Sequence, residues 1–520
     1  MRLETLIGIR FLVAFEGRQA PREVLELIAG RRTSGVILYR GRNIASPVQL
    51  RRLTATLQAA VPAGDPPLLV GVDQEGGQLE ALGEGATAWP GNLALAAAAS
   101  TRLARAVGRA IGLELAAMGV NVVFAPACDL LSPSAATVLG TRTLGDHPAR
   151  VGALAAAMVR GIQSTGVAAT VKHVPGHGAA VGPDPHVALP HAPAPASVLA
   201  DHLAAFAEPV RAGARLAMLS HLVVPALGLD HATPASLDPL VVGALRDELD
   251  FRGVTITDAL DMGALGPHEA LPDNVVAAVH AGEDLLLTVH SFDLVQAAQE
   301  RLGAEARDGR LGEASLRSSA QRILRLRRAA ARMAAPPLRI VGAPEHAALA
   351  REVAVRAVAL LCDPRRLLPL SHPGVPVVVL QPRPRNLTPA ETSQASSGSL
   401  AAALSQRGIP VTALELPFEP TPEETAQLLV PIRAAQLAII GTLEAATHPA
   451  QARLVELAAR HTPTIAVALR TPYDLEVYPP SVTAAATFGP QRPNIDALVD
   501  ALTGRIRFRG QLPVLVGGPG

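Results

Sequence analysis

Three histidines, a lysine and an aspartate are concentrated in one short stretch of the chain, among glycines and prolines. The stretch begins with KHVPGHG at residues 172–178 and continues to PDPH at residues 183–186. Such side chains can bind zinc, lie on an ordinary surface loop, or transfer protons in catalysis. Zinc sites commonly use short fixed spacings such as HExxH or CxxC, which are absent here, so no metal site is predicted. Three histidines within fourteen residues favour catalysis over an ordinary surface loop.

Asp184 and His186 are separated by a single proline, which allows the carboxylate to contact the imidazole within a turn. A carboxylate in this position holds one ring nitrogen and orients the other, as in the catalytic triads. An unperturbed histidine titrates near pH 6.5 and therefore both donates and accepts protons near neutrality. Asp258, in TITDALDM at residues 255–262, is the candidate partner. The alternative is that Asp258 only caps the next helix.

A histidine acid/base and an aspartate nucleophile across a sugar would make a retaining glycosidase. The aspartate would attack the anomeric carbon, while the histidine would protonate the leaving oxygen and then activate water. By analogy with paired carboxylates, the two groups should stand about 5–5.5 Å apart. Phosphate could replace the water, because a neutral histidine repels an anion less than a glutamate would. The pattern therefore leaves hydrolysis and phosphorolysis open.

Elements that could position these side chains recur along the first part of the chain. Short β-branched runs alternate there with helix-like segments rich in Ala, Leu and Arg. The predicted strands are 11–15, 35–39, 68–73, 121–126, 168–173, 216–221, 253–258 and 283–288. Eight such units predict an α/β fold of the (β/α)8 TIM-type barrel class, with an open doubly wound sheet as the alternative.

Ionisable residues stand at the C-terminal ends of four of these runs. They are Asp73, Lys172, His173, His221 and Asp258. In a (β/α)8 barrel all strand ends of this kind meet at one face, which is where the active sites of this fold lie. The positions therefore predict one site at that face.

The pattern changes after Leu326, where Pro336 and Pro337 indicate a linker. Five further strands are predicted at 376–381, 411–416, 437–442, 464–469 and 484–489, again alternating with helical segments. We therefore predict a catalytic barrel domain over residues 1–335 and a smaller α/β sandwich domain over residues 336–520. The polar segment 382–399 is predicted to be a loop.

The composition limits the partners of the chain. Among 520 residues, 46 Lys and Arg balance 45 Asp and Glu, which gives no electrostatic indication of nucleic acid or of an anionic membrane. There is no charge-free apolar run of about 18 residues, so no transmembrane helix is predicted. No glycine-rich nucleotide motif is present, and no cofactor is expected.

The N-terminal segment and the cysteines indicate a compartment. Arg2, Glu4 and Arg10 interrupt the apolar N-terminal residues, which does not match a signal peptide. Cys128 and Cys362 are the only cysteines and are far apart, which fits a reducing compartment. We therefore expect a cytoplasmic protein, and we expect a monomer.

Several motifs together resemble those of the family 3 glycoside hydrolases, in particular their β-N-acetylglucosaminidase branch. They are KHVPGHG with DPH, DQEGG at 73–77, GTRTLGDHP at 140–148, ITD at 256–258 and AGEDLLL at 281–287. GVILYRGRNIASPVQL at 35–50 and LTGRIRFRGQLPV at 502–514 extend the resemblance over the whole chain, the latter being typical of two-domain members. The D-x-H loop is the most specific element, because members acting on plain glucosides usually take their acid/base from a glutamate of the second domain.

The resemblance implies a retaining β-N-acetylglucosaminidase that acts on GlcNAc-MurNAc fragments of peptidoglycan through a glycosyl-aspartate. It implies Asp258 as the nucleophile, His186 as the proton donor and acceptor, and Asp184 as its supporting carboxylate. The carbohydrate would be bound by the remaining implied residues, which are Asp73, Arg142, Lys172 and His173.

One motif departs from the family pattern. After DQEGG the family commonly has R-V-x-R, whereas this chain has Gln78, Leu79, Glu80 and Ala81. A sugar-contacting arginine is therefore absent at Ala81, which leaves the exact substrate open. An N-acetylglucosaminide phosphorylase, a β-glucosidase of the same fold and a non-catalytic sugar-binding protein are the alternatives.

Overall fold

Eight short parallel strands form the first sheet of the computed structural model, which describes residues 1–227, 233–289, 291–333, 335–370 and 377–517. The strands are β1 Phe11–Val13, β2 Gly35–Ile37, β3 Leu69–Val72, β4 Val122–Val123, β5 Ala168–Val174, β6 Leu216–Leu219, β7 Val254–Thr257 and β8 Leu286–Thr288. They pair in chain order, and β8 also pairs with β1. A bridge between Ile256 and Leu285 closes the ring between β7 and β8. The predicted barrel is therefore confirmed, and the open sheet is not formed.

The side chains of the barrel strands alternate between the barrel interior and the surrounding helices, as expected for a period of two residues. Leu69 and Ile37 pack in the interior cluster, whereas Val70 packs in the layer between the strands and the helices. Ile323 of the helix Glu313–Ala330 also belongs to the interior cluster. An apolar interior leaves the strand ends as the place for polar groups.

Each of the eight predicted runs contains a strand, but several strands end earlier than predicted. In the fourth run only Val122–Val123 belongs to the ladder, and the chain leaves it before Pro126, which has no N–H to donate. In the eighth run the strand begins only at Leu286, and Asp284 before it pairs through its carboxylate with Arg246 and Arg322 at 2.9 and 2.8 Å. Only the shortened C-terminal ends continue into the loops that carry the candidate site.

Most helices around the barrel lie between successive strands, and further helices belong to the second domain. None of the helices in the described ranges has both the length and the hydropathy that crossing a bilayer requires. The barrel helices are Leu3–Gly8, Arg22–Ala29, Pro47–Ala59, Asn92–Ala97, Thr101–Ala117, Ala136–Leu139, Pro148–Gln163, Ala196–Ala204, Ala207–Arg211, Pro239–Asp247, Leu271–Ala281, Phe292–Arg307 and Glu313–Ala330. Those that follow are Pro344–Ala357, Leu400–Gln406, Pro422–Ala434, Pro449–His461 and Arg492–Leu502.

A second sheet of six strands forms the core of the second domain. Its strands are β9 Ala359–Cys362, β10 Val377–Pro382, β11 Val411–Leu416, β12 Ala438–Thr442, β13 Thr464–Ala468 and β14 Thr483–Ala486, in the sheet order β9-β14-β13-β12-β10-β11. All five predicted strands are present, although Pro376 of the first lies outside the described residues. The prediction missed β9, an antiparallel edge strand with an irregular register whose four residues lack an alternating pattern of burial.

Candidate active site

A cavity of about 740 Å³ lies at the C-terminal ends of the barrel strands. Ligand pockets of roughly 300–1,000 Å³ are typical for small molecules, so the cavity has room for a saccharide. All seven residues selected from the sequence line it, namely Asp73, Arg142, Lys172, His173, Asp184, His186 and Asp258. His221 lines it as well, so all five ionisable residues at the predicted strand ends face one cavity.

Asp184 and His186 form the predicted dyad. Oδ1 of Asp184 accepts hydrogen bonds from Nδ1 of His186 at 2.7 Å and from the backbone N–H of His186 at 2.9 Å. Burial lowers the pKa of His186, but the hydrogen bond to Asp184 and the charges of Asp258 and Asp184 outweigh it, so that the pKa is raised. Burial acts in the opposite direction on Asp184, whose pKa is nevertheless lowered by its bonds with His186. Because Nδ1 is occupied, Nε2 of His186 remains available for proton transfer.

The loop that carries the dyad rests on the chain segment that follows Asp258. Gly263 donates its N–H to the carbonyl of His186 at 3.3 Å, and Ala264 donates to the carbonyl of Pro185 at 2.9 Å. A Cβ atom at Gly263 would stand 2.5 Å from the carbonyl oxygen of Val187 and 2.7 Å from that of His186. Only glycine permits this approach, which keeps the dyad and Asp258 on the same side of the cavity.

Asp258 follows β7 directly, and its carboxylate makes one local hydrogen bond. Oδ1 accepts the N–H of Ala259 at 2.8 Å. The next helical turn begins only at Gly263, so Asp258 does not cap a helix. Burial raises the pKa of Asp258, but neighbouring imidazoles, with His221 the most effective, lower it to about 2. The group is therefore an anion near neutrality, as a nucleophile must be.

Lys172 and Arg142 are held by the carboxylates of Asp73 and Glu75. Nζ of Lys172 lies 2.7 Å from Oδ1 of Asp73 and 2.7 Å from Oε1 of Glu75. Glu75 also accepts two hydrogen bonds from Arg142, from Nε at 3.0 Å and from Nη2 at 2.9 Å. Burial raises the pKa of Glu75, but Arg142 and Lys172 lower it to about 2. The network contains two cations and two carboxylates, which fixes each charged group in place.

Glu75 was not among the residues selected from the sequence, although it lies within the DQEGG motif. Its side chain is completely buried, so its function is to hold Lys172 and Arg142 rather than to contact a ligand.

Of the 46 lysine and arginine residues in the chain, Lys172 is the only lysine. A compact ammonium group can lie between two separate carboxylates, whereas a planar guanidinium favours one carboxylate in two-pronged geometry.

Asp129 is a second residue that the sequence analysis missed. Its buried carboxylate accepts the ring Nδ1–H of His173 at 2.8 Å and the backbone N–H of His177 at 2.6 Å. Burial raises the pKa of Asp129, but His173 and His177 hold it well below its usual range. Nε2 of His173 lies 3.5 Å from Nη2 of Arg142 and thus points toward the ionic network. Asp129 stands six residues after β4, so it was not among the ionisable residues predicted at strand ends.

The histidines of the opening stretch are therefore not equivalent. Burial lowers the pKa of His177 to about 4, so that its imidazole is neutral at physiological pH. The ring centroids of His173 and His177 are 6.3 Å apart. Among the described residues, no three His, Cys, Asp or Glu side chains converge in a way that could hold a metal ion. The pKa of His186 is shifted in the opposite direction to that of His177.

The second domain contributes to the wall of the cavity. Pro389, Ala390 and Thr392 line it. Oγ1 of Thr392 accepts the N–H of Glu80 at 2.9 Å, and its backbone N–H donates to the carbonyl of Gln78 at 2.8 Å. The predicted polar loop 382–399 is thus tied to the barrel, which its composition did not reveal.

Ala81, the position at which the family pattern has an arginine, is buried at the cavity wall. Two arginines from the loop after β2, Arg40 and Arg42, line the same cavity. Arg42 pairs with Glu16 at 3.1 Å, and its guanidinium lies 5.5 Å from the ring centroid of Tyr39. Positive charge on this side of the cavity therefore comes from a different loop.

Comparisons with known proteins identify the family of the chain. Residues 4–326 match the family model described as the glycosyl hydrolase family 3 N terminal domain. A β-hexosaminidase from Alkalilimnicola ehrlichii is 36% identical over 302 residues, which are 56% of this chain and 83% of the relative. A β-hexosaminidase from Xanthomonas axonopodis pv. citri is 32% identical over 317 residues, covering 59% and 92%.

Solved structures extend the similarity to both domains. A glycoside hydrolase family 3 β-N-acetylglucosaminidase from Paenibacillus sp. is 32% identical, with a TM-score of 0.90 and 99% of each chain covered. A β-glucoside phosphorylase shares the fold at 21% identity, with a TM-score of 0.82 over 99% of this chain and 94% of the other. Because the family model matches more than half of the chain, this protein belongs to glycosyl hydrolase family 3 and is a glycoside hydrolase.

Proposed function

We propose that this protein is a retaining β-N-acetylglucosaminidase that removes terminal GlcNAc from GlcNAc-MurNAc fragments of peptidoglycan. The observation that carries the proposal is the Asp184–His186 dyad, whose loop rests on the segment following Asp258 within one cavity. The names of the relatives at 32–36% identity support the choice of sugar. We further propose a cytoplasmic monomer with domain limits at 1–335 and 336–520, and the two free cysteines fit a reducing compartment.

In the first step, the carboxylate of Asp258 attacks the anomeric carbon of the bound sugar. Protonated His186 donates the proton on Nε2 to the leaving oxygen as the glycosidic bond breaks, which yields a glycosyl-aspartate and a neutral imidazole. In the second step, His186 takes a proton from water, the resulting oxygen nucleophile attacks the anomeric carbon, and Asp258 leaves as a carboxylate. Two inversions at one carbon retain its configuration.

Asp73, Lys172, His173 and Arg142 bind the sugar hydroxyls in this proposal. Carboxylate oxygens accept hydrogen bonds from hydroxyls, whereas ammonium and guanidinium groups donate to them. Because Glu75 and Asp129 already fix these side chains, little rotamer freedom remains to be lost when the sugar binds.

The proposed substrate is tested by comparing an aryl β-N-acetylglucosaminide with the corresponding β-glucoside. We expect a strong preference for the N-acetyl sugar, with free GlcNAc as the product and a rate independent of added phosphate. Preference for the glucoside would contradict the assigned sugar, and a phosphate-dependent rate with a sugar phosphate as product would indicate a phosphorylase. No turnover of either substrate would favour the sugar-binding alternative.

The dyad predicts a specific pH dependence. The raised pKa of His186 keeps its imidazole protonated to higher pH, so kcat/KM for a substrate with a poor leaving group falls as the pH rises through that raised pKa. Asp184→Asn removes the carboxylate that raises the pKa, so the alkaline limb of the kcat/KM profile should move to lower pH. The exposed Asp201→Asn is the control and should leave the profile unchanged. An unmoved limb in Asp184→Asn would show that Asp184 does not tune His186.

A further inference from the structure

Arg470 of the second domain contacts a short helix of the barrel domain. Its side chain is only 2% exposed. Nη1 donates to the carbonyl of Ala136 at 3.1 Å and Nη2 donates to the carbonyl of Thr137 at 2.9 Å. Both carbonyls belong to the short barrel helix Ala136–Leu139. A guanidinium from one domain thus satisfies backbone acceptors of the other domain.

Two buried carboxylates of the second domain hold this guanidinium. Oε1 of Glu444 lies 2.6 Å from Nη1, and Oε2 of Glu391 lies 3.6 Å from Nη2. Burial lowers the pKa of Arg470, but Glu444 and Glu391 outweigh it, so that the pKa is raised and the group stays charged. Glu391 belongs to the segment whose Thr392 lines the cavity. We call Arg470, Glu444 and Glu391 the arginine clamp.

The same barrel segment is also held by Gln78. Oε1 of Gln78 accepts the N–H of Thr141 at 2.7 Å. Between the two anchors, Gly140 has a φ of +50°, and a Cβ atom there would stand 2.2 Å from Oε1 of Gln78 and 2.3 Å from Nη2 of Arg470. The segment 136–142 is therefore confined between the arginine clamp and the barrel.

The confined segment ends at Arg142. Its side chain makes the two hydrogen bonds to Glu75, and its carbonyl accepts Nδ2 of Asn92 at 2.8 Å. Val138 and Leu139, earlier in the segment, line the cavity. Because close-packed interiors transmit strain, we expect a shift of the segment at Arg470 to displace Arg142 as well.

We propose that Arg470 is a positioning residue through which the second domain holds segment 136–142, and thereby Arg142, in place for sugar binding. The inference rests on the proposed function, in which Arg142 binds the sugar. Arg470 does not line the cavity among the described residues, so its effect passes through the segment. In this proposal the second domain contributes to substrate binding by positioning Arg142, in addition to packing against the barrel.

A double-mutant cycle tests the proposal, with the aryl β-N-acetylglucosaminide as the substrate. Arg470→Met removes the charge and keeps an extended side chain. We expect KM to rise about tenfold, within the roughly 2- to 30-fold range of coupling through packed segments, with a smaller change in kcat. Arg470→Lys, which retains the charge, should recover part of the loss.

The second half of the cycle is made in an Arg142→Ala background. If Arg470 acts through Arg142, Arg470→Met should add less than about twofold to the loss already caused by Arg142→Ala. An equal loss in both backgrounds would overturn the positioning role while leaving the proposed function intact. An unchanged KM in Arg142→Ala alone would instead show that Arg142 does not bind the sugar, and the positioning role would be overturned with it.

Arg407→Met is the matched control for lost stability. Arg407 is another largely buried arginine of the second domain, paired with Asp496 at 3.0 Å and Asp500 at 3.1 Å. The Arg407→Met variant should lower Tm but leave KM unchanged. A rise in KM equal to that of Arg470→Met would overturn the proposal. If Arg470→Met fails to fold, Glu444→Gln replaces it in the test, because it weakens the pairing that holds the guanidinium. Glu444→Gln should then raise KM, and the rise should disappear in the Arg142→Ala background. An unchanged KM would overturn the positioning role.

Discussion

Replacing Asp258 with alanine should abolish turnover, with kcat falling by about 10⁴-fold or more, as is common when a hydrolase loses its nucleophile. Neighbouring carboxylates are occupied and do not substitute for it. Asp73 pairs with Lys172 at 2.7 Å, and Asp261 accepts the N–H of Val289 at 2.7 Å. The expected loss therefore reflects the covalent step itself and applies to activated and unactivated substrates alike.

Asp258→Asn separates charge from shape. The asparagine can still accept the N–H of Ala259, so the loop should keep its geometry while the nucleophile is lost.

Azide added to Asp258→Ala should enter the space left by the carboxylate and attack the anomeric carbon of an activated substrate, giving a glycosyl azide of inverted configuration. Asp261→Asn in the same cavity serves as the control and should remain active. Near-wild-type activity of Asp258→Ala would contradict the assignment of the nucleophile.

The barrel and the location of its site were predictable because both depend on local patterns. Each barrel strand lies within a short apolar run, and in parallel strands closed into a ring every C-terminal end lies on one face. Lys172 and Asp258 therefore had to meet, although 86 positions separate them. The Asp184–His186 contact was equally predictable, because two residues across a proline leave few conformations.

The supporting residues were not predictable because their roles depend on tertiary contacts alone. Asp129 stands in a loop six residues after β4, and Arg470 follows β13 of the second domain, but each contacts backbone or side chains far away in sequence. Glu75 was visible in a motif, but only the folded chain shows that it binds both Lys172 and Arg142. The same holds for Thr392, whose hydroxyl and backbone N–H bond to the backbone of Glu80 and Gln78 in the barrel domain.

Loss of the His186 imidazole should have an effect that depends on the leaving group. In His186→Ala, kcat/KM for a disaccharide or alkyl glycoside should fall by about 10²–10⁴-fold, the usual contribution of a general acid. For a dinitrophenyl glycoside, whose leaving oxygen needs no proton, the first step should be affected by less than about tenfold. The contrast follows from the first step, in which Asp258 still attacks but the unactivated leaving oxygen must depart as an anion.

The comparison of the two substrates distinguishes proton transfer from loop shape. His191 lies on the same loop with an exposed side chain, and its backbone pairs with Val181, so His191→Ala should leave both substrates unaffected. His186→Ala also removes the hydrogen bond to Asp184, and part of any loss could arise from a displaced loop. A displaced loop would impair both substrates equally, because it changes how the sugar is held. Equal losses would therefore assign His186 to the shape of the loop, whereas a loss confined to poor leaving groups requires a proton.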